Sequence, residues 1–274
     1  MIPRLIAFAR PLGLALALLT TLPVGRWVAS PVSPADPGRS VLWYPVVGLL
    51  IGMLLASLAW LLSGVDAPLG AALVVVLWVV LTGALHLDGL ADCVDAWFAG
   101  HGRDAPERTL AVMKDPAAGP MAVVALLLVL GLKGAAIAAI WSALWSSPAS
   151  GYWWSPPLVG LLVVVPVLAR LAAMLFMATT AYRRAQGLAS ALDAQLPRAA
   201  AWLVAGGGVA FVLVCAGPAA GVIMALGALF VSLGWRALWQ RRIGGYTGDV
   251  VGGLIELVEV AVLVIAALWA TPWV

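Results

Sequence analysis

The chain has 274 residues, of which 64% are hydrophobic and only 10% are charged, and its mean hydropathy is +1.08. Soluble domains are nearer half apolar and a quarter charged, so the composition excludes an ordinary soluble globule and predicts an integral membrane protein. The formal net charge of +3 is small, and basic cytoplasmic loops explain it better than binding to nucleic acid does.

Seven segments are apolar over about the 20 residues that a helix needs to cross a bilayer. They are roughly 41–62, 67–87, 118–141, 157–181, 199–216, 218–238 and 250–270. Residues 5–22 are also apolar, but Arg10 and Pro11 lie within them, so we predict an interfacial or re-entrant helix there. The predicted fold is therefore an all-α polytopic membrane protein with about seven transmembrane helices, and residues 1–274 form a single membrane-embedded domain.

Lysine and arginine occur in every second loop. They precede the first span and lie between the second and third, the fourth and fifth, and the sixth and seventh, whereas the other loops and the tail TPWV have none. Because positively charged loops stay in the cytoplasm, this alternation predicts the N-terminus inside and the C-terminus outside.

The polar side chains concentrate on the same, cytoplasmic side. They fall in the predicted loops 86–117, 182–198 and 239–249, while the outer loops contain little besides small and aromatic residues. A pathway through the membrane would need polar groups on both sides. The one-sided concentration therefore favours a site that is reached from the cytoplasm.

The stretch HLDGLADCVDAW contains the most distinctive acidic pattern of the chain. Asp88, Asp92 and Asp95 recur at i, i+4 and i+7, which on a helix aligns all three along one stripe. Three like charges repel one another unless a cation lies among them. Because Mg²⁺ prefers oxygen ligands and is commonly held by carboxylates together with substrate phosphates, the stripe predicts a magnesium site.

Several other polar residues allow two interpretations. His86 lies nearly opposite the stripe and either packs at the helix end or moves a proton. Lys114 and Asp115, in MKDPAAGP, either contact a phosphate or merely end a helix. Lys133 and Arg170 lie inside predicted spans, where charged groups either pair with one another or serve a function.

The motifs together resemble the cobalamin synthase family. The matching stretches are YPVVGLLIG (44–52), LHLDGLADCVDAWF (85–98), ERTLAVMKDPAAGPMAVVALLLVLGLK (107–133), AYRRAQGL (181–188) and GGYTGDVVGGLIELVE (244–259). The resemblance implies a catalytic membrane domain of the bacterial inner membrane that carries out a late step of vitamin B12 assembly. A ribose hydroxyl of α-ribazole, or of its 5′-phosphate, would attack adenosylcobinamide-GDP and release GMP, and the reaction would require Mg²⁺.

This reaction assigns roles to the polar residues as hypotheses. Asp88, Asp92 and Asp95 would hold Mg²⁺, and Asp92, Asp95 or His86 would act in catalysis by accepting the proton of the nucleophile. The remaining residues predicted to bind substrate are Lys114, Asp115, Arg183, Arg184, Gly245, Thr247, Gly248, Asp249 and Glu256.

Other functions remain open at this stage. A membrane phosphotransferase acting on a lipid alcohol would use similar metal chemistry, but the DxxDGxxAR pattern of such enzymes does not occur here. A cation-coupled transporter would use Lys133, Arg170, Glu256 and Glu259, and a non-catalytic scaffold would need none of the aspartates. The expected partners are corrinoid and nucleoside substrates and the lipid bilayer, and the sequence leaves open a homo-oligomer or an association with other corrinoid enzymes.

Overall fold

The computed structural model describes residues 2–25, 28, 32–99, 105–115, 117–145, 156–184 and 188–270. Within these residues the chain forms twelve α-helices and no β-strand. The helices are α1 (Ile2–Leu19), α2 (Asp36–Ser40), α3 (Tyr44–Leu61), α4 (Ala67–Thr82), α5 (Leu85–Ala99), α6 (Ala105–Val112), α7 (Pro120–Trp145), α8 (Pro156–Thr179), α9 (Leu188–Ala194), α10 (Arg198–Ala216), α11 (Pro218–Ile243) and α12 (Gly248–Ala270). Parts of two predicted loops, 100–104, 116 and 185–187, lie outside the described residues.

Among the described residues, six helices are long and apolar enough to span a membrane, namely α3, α7, α8, α10, α11 and α12. A seventh span is obtained if α4 and α5 are counted together, although these two helices meet at an angle of 87°. The predicted all-α polytopic fold with about seven spans is therefore confirmed.

The predicted span 67–87 is the one that the structure breaks. Gly83 and Ala84 both have positive φ angles, of 59° and 58°, so the chain leaves the right-handed helical conformation directly after Thr82. An alanine in this conformation is strained, because its Cβ approaches the backbone. Since α5 runs nearly perpendicular to α4, we treat α4 as the membrane-spanning part and α5 as a helix that crosses its end.

Helices α8 and α12 form the centre of the bundle, while α7, α10 and α11 leave most of their apolar surface exposed. Glycines allow α3 to approach α8 closely. A Cβ at Gly48 would lie 2.4 Å from the carbonyl oxygen of Pro166, and one at Gly52 would lie 2.6 Å from Cα of Val163. Without a hydrophobic force between helices in lipid, such close contact of small residues is a main source of their association.

The N-terminal helix α1 ends beside the broken span. The backbone N–H and the hydroxyl of Thr21 donate to the carbonyl oxygens of Leu81 (2.8 Å) and Val80 (2.9 Å), respectively. The described apolar part of α1, Ala9–Leu19, is shorter than a membrane span. The helix predicted there is thus present, and its interfacial or re-entrant placement stays a prediction.

Candidate functional site

The loop after α8 and the loop after α11 are joined by backbone pairing at one end of the bundle. The N–H of Arg183 donates to the carbonyl oxygen of Tyr246, and the N–H of Tyr246 donates to that of Ala181, each at 2.9 Å. Gly245 permits this approach, because a Cβ there would lie 2.2 Å from the oxygen of Ala181. Two of the three loops predicted to form a site therefore meet.

Glycines bring the acidic helix α5 onto the start of α12. A Cβ at Gly89 would lie 2.8 Å from the carbonyl oxygen of Asp249, and one at Gly252 would lie 3.3 Å from Cα of His86. The backbones can touch only because neither glycine has a side chain. As a result, the third predicted loop also meets the other two, and Asp88 lies near Asp249.

A cavity of about 260 Å³ opens where these elements meet. Four predicted site side chains line it: Asp88, His86, Arg184 and Asp249. Gly248 lines it as well, and a Cβ built on Gly248 would meet no atom within 4 Å, so that position is open. The remaining lining is mostly apolar and comes from α1, α3, α5, α8, α9 and α12 and from Tyr182 in the loop after α8.

Arg184 is held at the cavity by a short ion pair. Its Nη2 lies 2.9 Å from Oδ2 of Asp249 and donates to the carbonyl oxygen of Met113 at 3.4 Å. The hydroxyl of Thr247 donates to the same Asp249 oxygen at 3.2 Å and accepts the N–H of Val250 at 3.4 Å. Thr247 is fully buried, so its role in the structure is to cap α12 and orient Asp249.

Asp92 lies in the same electrostatic environment, on the helix that crosses the end of α4. Partial burial, followed by the negative charges of Asp249 and Asp88, raises its pKa to about 7, against an opposing effect of Arg184. A carboxylate surrounded by other carboxylates is a site where a hard cation would relieve repulsion, so the donor set fits Mg²⁺.

The described residues contain no group of three His, Cys, Asp or Glu side chains arranged as a complete metal cage. Magnesium rarely needs such a cage, because it retains water and takes ligands from substrate phosphates. One or two carboxylates at the mouth of the cavity are sufficient for this mode of binding.

Asp95 differs from the other two members of the acidic stripe. Its Oδ2 accepts the N–H of Gly119 at 2.5 Å and its Oδ1 accepts the N–H of Ala122 at 3.1 Å. These donors are unpaired N–H groups at the beginning of α7, where a carboxylate is favourable. The structure therefore gives Asp95 a helix-capping role that the predicted metal and catalytic roles did not include.

The predicted substrate ligand Glu256 is likewise engaged elsewhere. Its Oε2 lies 2.7 Å from Nζ of Lys133, which lies 2.5 Å from Oε2 of Glu259, and Arg170 pairs with Glu259. All four side chains are buried, and their charges cancel. The pairing interpretation of Lys133 and Arg170 is confirmed, and Glu256 belongs to this network instead of the lining of the cavity.

His86 connects this buried network to the cavity. Its Nδ1 lies 3.4 Å from Nη2 of Arg170, and its side chain is buried while it also lines the cavity. Because a guanidinium can only donate, Nδ1 is the acceptor, and the proton of the neutral ring is on Nε2. This arrangement is consistent with a packed histidine more than with a free base.

Three predicted residues lie at the surface beside the cavity without lining it. Lys114 and Arg183 are exposed, and Met113, next to Lys114, contacts both Arg184 and Thr247. Both cations are therefore next in sequence to residues that contact each other at the cavity, Met113 and Arg184. Asp115 is exposed and accepts the N–H of Ala117 at 3.0 Å, which is a turn-stabilising contact.

Sequence reasoning missed several residues of the site. Tyr44 and Tyr182 line the cavity. Each lies in a stretch that matches the family pattern, and this match is the sequence signal that could have identified them. Arg242 does not line the cavity, but sequence reasoning also missed its structural role. It donates to Oγ1 of Thr109 at 3.1 Å and to the carbonyl oxygen of Trp97 at 2.8 Å, and it thereby ties α11 to α6 and to the end of α5.

Comparison with known proteins gives a consistent result. Residues 11–267 match the family model described as cobalamin-5-phosphate synthase. The chain is 47% identical over 259 residues to the adenosylcobinamide-GDP ribazoletransferase of Pseudomonas entomophila, a match that covers 94% of this chain and 98% of the relative. Proteins of the same name from Pseudomonas aeruginosa PAO1 and Stutzerimonas stutzeri are 47% and 46% identical, each over 94% of this chain and 98% of their own length. No solved structure matches the chain.

Proposed function

The chain belongs to the cobalamin-5-phosphate synthase family, and we propose that it is an adenosylcobinamide-GDP ribazoletransferase. It joins adenosylcobinamide-GDP to α-ribazole or α-ribazole 5′-phosphate and releases GMP in the synthesis of vitamin B12. The observation that carries this proposal is the Arg184–Asp249 pair, which lies with Asp88 at the mouth of a cavity beside an exposed lysine. The two alternatives, a lipid phosphotransferase and a transporter, are not favoured, because the relatives over nearly the full length carry the ribazoletransferase name.

The reaction is a phosphoryl transfer, which depends mainly on positioning and on neutralising phosphate charge. An oxygen of the ribose forms a bond to the corrinoid-bearing phosphorus, the bond from that phosphorus to the GMP oxygen breaks, and the hydroxyl loses its proton. We assign the receipt of this proton to Asp92, whose carboxylate lies in the field of Asp88 and Asp249 on the helix that borders the cavity. In this proposal Arg184, which lines the cavity, would contact the transferred phosphate, and the exposed Lys114 and Arg183 would contact the GMP phosphate.

Asp88 and Asp249 would hold Mg²⁺, since both line the cavity and offer carboxylate oxygens. When bound, the cation would neutralise part of the negative charge on the pyrophosphate and on the departing GMP. Asp95 would contribute indirectly, because its bonds to the start of α7 fix the orientation of α5 and with it Asp88 and Asp92, which precede it on the helix.

The cavity is proposed to face the cytoplasm, with the N-terminus inside and the C-terminus outside. Arg39, Arg184, Arg198 and Arg242 all lie at the end of the bundle that contains the cavity, since they flank the ends of helices that meet there. Positively charged residues at one end favour its retention in the cytoplasm. The residues proposed to bind substrate would then be directly accessible to cytoplasmic nucleotides.

The proposal can be tested with membranes that contain the protein, supplied with adenosylcobinamide-GDP and α-ribazole in the presence of Mg²⁺ or EDTA. Wild-type membranes should release GMP and form a cobalamin only with Mg²⁺. Asp92→Asn should lower turnover by about 10²–10⁴-fold, the usual contribution of a positioned proton acceptor. Asp66→Asn, at the opposite end of α4, removes one carboxylate outside the site and serves as the matched control.

Two results would count against the proposal in different ways. Undiminished turnover of Asp92→Asn at saturating Mg²⁺ would exclude Asp92 from the mechanism. Wild-type membranes that release no GMP, or sealed vesicles that take up a corrinoid without any chemistry, would contradict the proposed reaction itself.

A further inference from the structure

We propose that the cavity beside Asp249 binds α-ribazole, with the apolar base inside and the ribose at the charged mouth. This inference rests on the function proposed above and names which of the two substrates the cavity takes. Pockets for drug-sized ligands span roughly 300–1,000 Å³, and the cavity here, at about 260 Å³, lies just below that range. It is suited to one nucleoside and is too small for a corrin ring.

The lining changes from charged to apolar along α12. Asp249 stands in the first turn of the helix, and Val251 and Ile255 follow on the walls of the same cavity. Ile255 lies six residues further along, which at 1.5 Å per residue is about 9 Å deeper into the bundle. The charged residues are therefore at the mouth, and the inner part offers mostly apolar surface, although the buried side chains of His86 and Tyr44 also line the cavity.

The other walls of the inner part are apolar or aromatic as well. They are formed by Leu18, Leu19, Tyr44, Met177 and Leu192. The ring of Tyr182 also borders the cavity and is held by an edge-on contact with Tyr246, with ring centroids 5.3 Å apart. Walls of this kind gain the most free energy when they bury a flat apolar ring system.

The chemistry of the two candidate bases distinguishes them. Guanine, in the GDP part of the other substrate, has several donors and acceptors along its edge. Away from the charged mouth the lining offers few polar partners besides His86 and the hydroxyl of Tyr44, so most of these groups would stay unpaired at substantial cost. The dimethylbenzimidazole of α-ribazole has two methyl groups and only one free ring nitrogen. The apolar interior therefore favours the base of α-ribazole over guanine.

This placement also brings the reacting groups together. With the base inside, the ribose lies at the mouth beside Asp88 and Arg184, and its hydroxyl is directed toward the acidic residues of α5. Adenosylcobinamide-GDP then approaches from outside, where the bulky corrinoid is not confined. Each substrate thus reaches the reacting phosphorus from a different side.

The helix α9 offers a matched pair of variants. Ala189 lines the cavity, whereas Ala191, on the same helix, is exposed and does not line it. Ala189→Phe should place a ring in the binding space and raise KM for α-ribazole on the order of tenfold or more, as overpacking of an apolar site does. KM for adenosylcobinamide-GDP should change less than about twofold, and Ala191→Phe should leave both constants unchanged.

The enlarged variant Leu192→Ala provides the complementary test, because it should accept a riboside with a bulkier apolar base better than the wild type does. Equilibrium binding of α-ribazole to the purified protein in detergent, without the second substrate, separates binding from turnover. We expect guanosine not to compete with α-ribazole in that measurement.

The outcomes separate this inference from the function on which it rests. If Ala189→Phe raises KM for adenosylcobinamide-GDP and not for α-ribazole, or changes neither, or if guanosine displaces α-ribazole, the inference is overturned while the proposed reaction stands. If the wild-type protein binds α-ribazole but releases no GMP, the proposed reaction fails instead. Should Ala189→Phe not fold, Leu192→Ala and the guanosine competition decide alone.

Discussion

Removal of the Lys133 charge is expected to destabilise the protein strongly. Lys133 contacts two carboxylates, Glu256 at 2.7 Å and Glu259 at 2.5 Å, and its ammonium lies 4.7 Å from the ring centroid of Trp78. The network has two cations and two carboxylates, so Lys133→Met leaves two buried negative charges with Arg170 as their one cation. Loss of one partner from a buried ion pair typically costs about 3–5 kcal/mol.

Charge balance, and not the lysine as such, should determine this cost. The double variant Lys133→Met/Glu256→Gln retains one cation and one carboxylate and restores neutrality. It should therefore recover most of the lost stability, and the double-mutant cycle should give a coupling energy of about 1–3 kcal/mol. Arg241→Met also removes one positive charge, but from an exposed position, and should cost less than about 1 kcal/mol.

Thermal unfolding of the four proteins and the wild type in one detergent provides the measurement. For a chain of this size, 1 kcal/mol corresponds to roughly 2–4 °C in Tm, so Lys133→Met should lower the midpoint by roughly 6–20 °C. The reasoning would be refuted by a Lys133→Met midpoint close to that of Arg241→Met. Strictly additive effects of Lys133→Met and Glu256→Gln would refute it too, because the two charges would then be independent.

Two further predictions concern the acidic stripe. Asp95→Ala should cost about 1–2 kcal/mol of stability through loss of the cap on α7, whereas Asp95→Asn keeps one acceptor and should cost less; thermal midpoints of both variants check this, and equal midpoints would contradict a capping role. Burial and neighbouring carboxylates raise the pKa of Asp92 to about 7. Below that pH the carboxyl is mostly protonated, and binding of a cation beside it must displace the proton. The Mg²⁺ concentration that gives half-maximal GMP release should accordingly fall as the pH rises from 6 to 8, and an unchanged or rising value would contradict the placement of the cation beside Asp92.

Parts of the site were predictable because they depend on local sequence. The helical spacing of Asp88, Asp92 and Asp95 indicated a common stripe, and the structure does form a helix over Leu85–Ala99. The spacing could not indicate what each member of the stripe faces. Asp88 lines the cavity and Asp95 binds the start of α7, because the 87° bend after α4 sets the direction of the whole helix.

The partners of the buried charges were also beyond local sequence. Glu256 and Asp249 belong to the same motif, and nothing along it distinguishes their partners. In the structure Glu256 pairs with Lys133, which is 123 positions away, and Asp249 pairs with Arg184. Seven residues along a helix separate the two carboxylates by about 10 Å. That distance is enough to place one at the mouth of the cavity and the other within the bundle.

The sequence by itself determined the class of protein, the positions of all the spans except 67–87, the distribution of basic loops and the family motifs, because these depend on composition, length and order along the chain. Only the tertiary structure decided which polar residues share a cavity. The contact of α5 with α12 at Gly89 and Gly252, and the pairing of Tyr182 with Tyr246, join segments that are far apart in sequence. Such contacts follow from how backbones approach one another in three dimensions, and no periodicity along the chain encodes them.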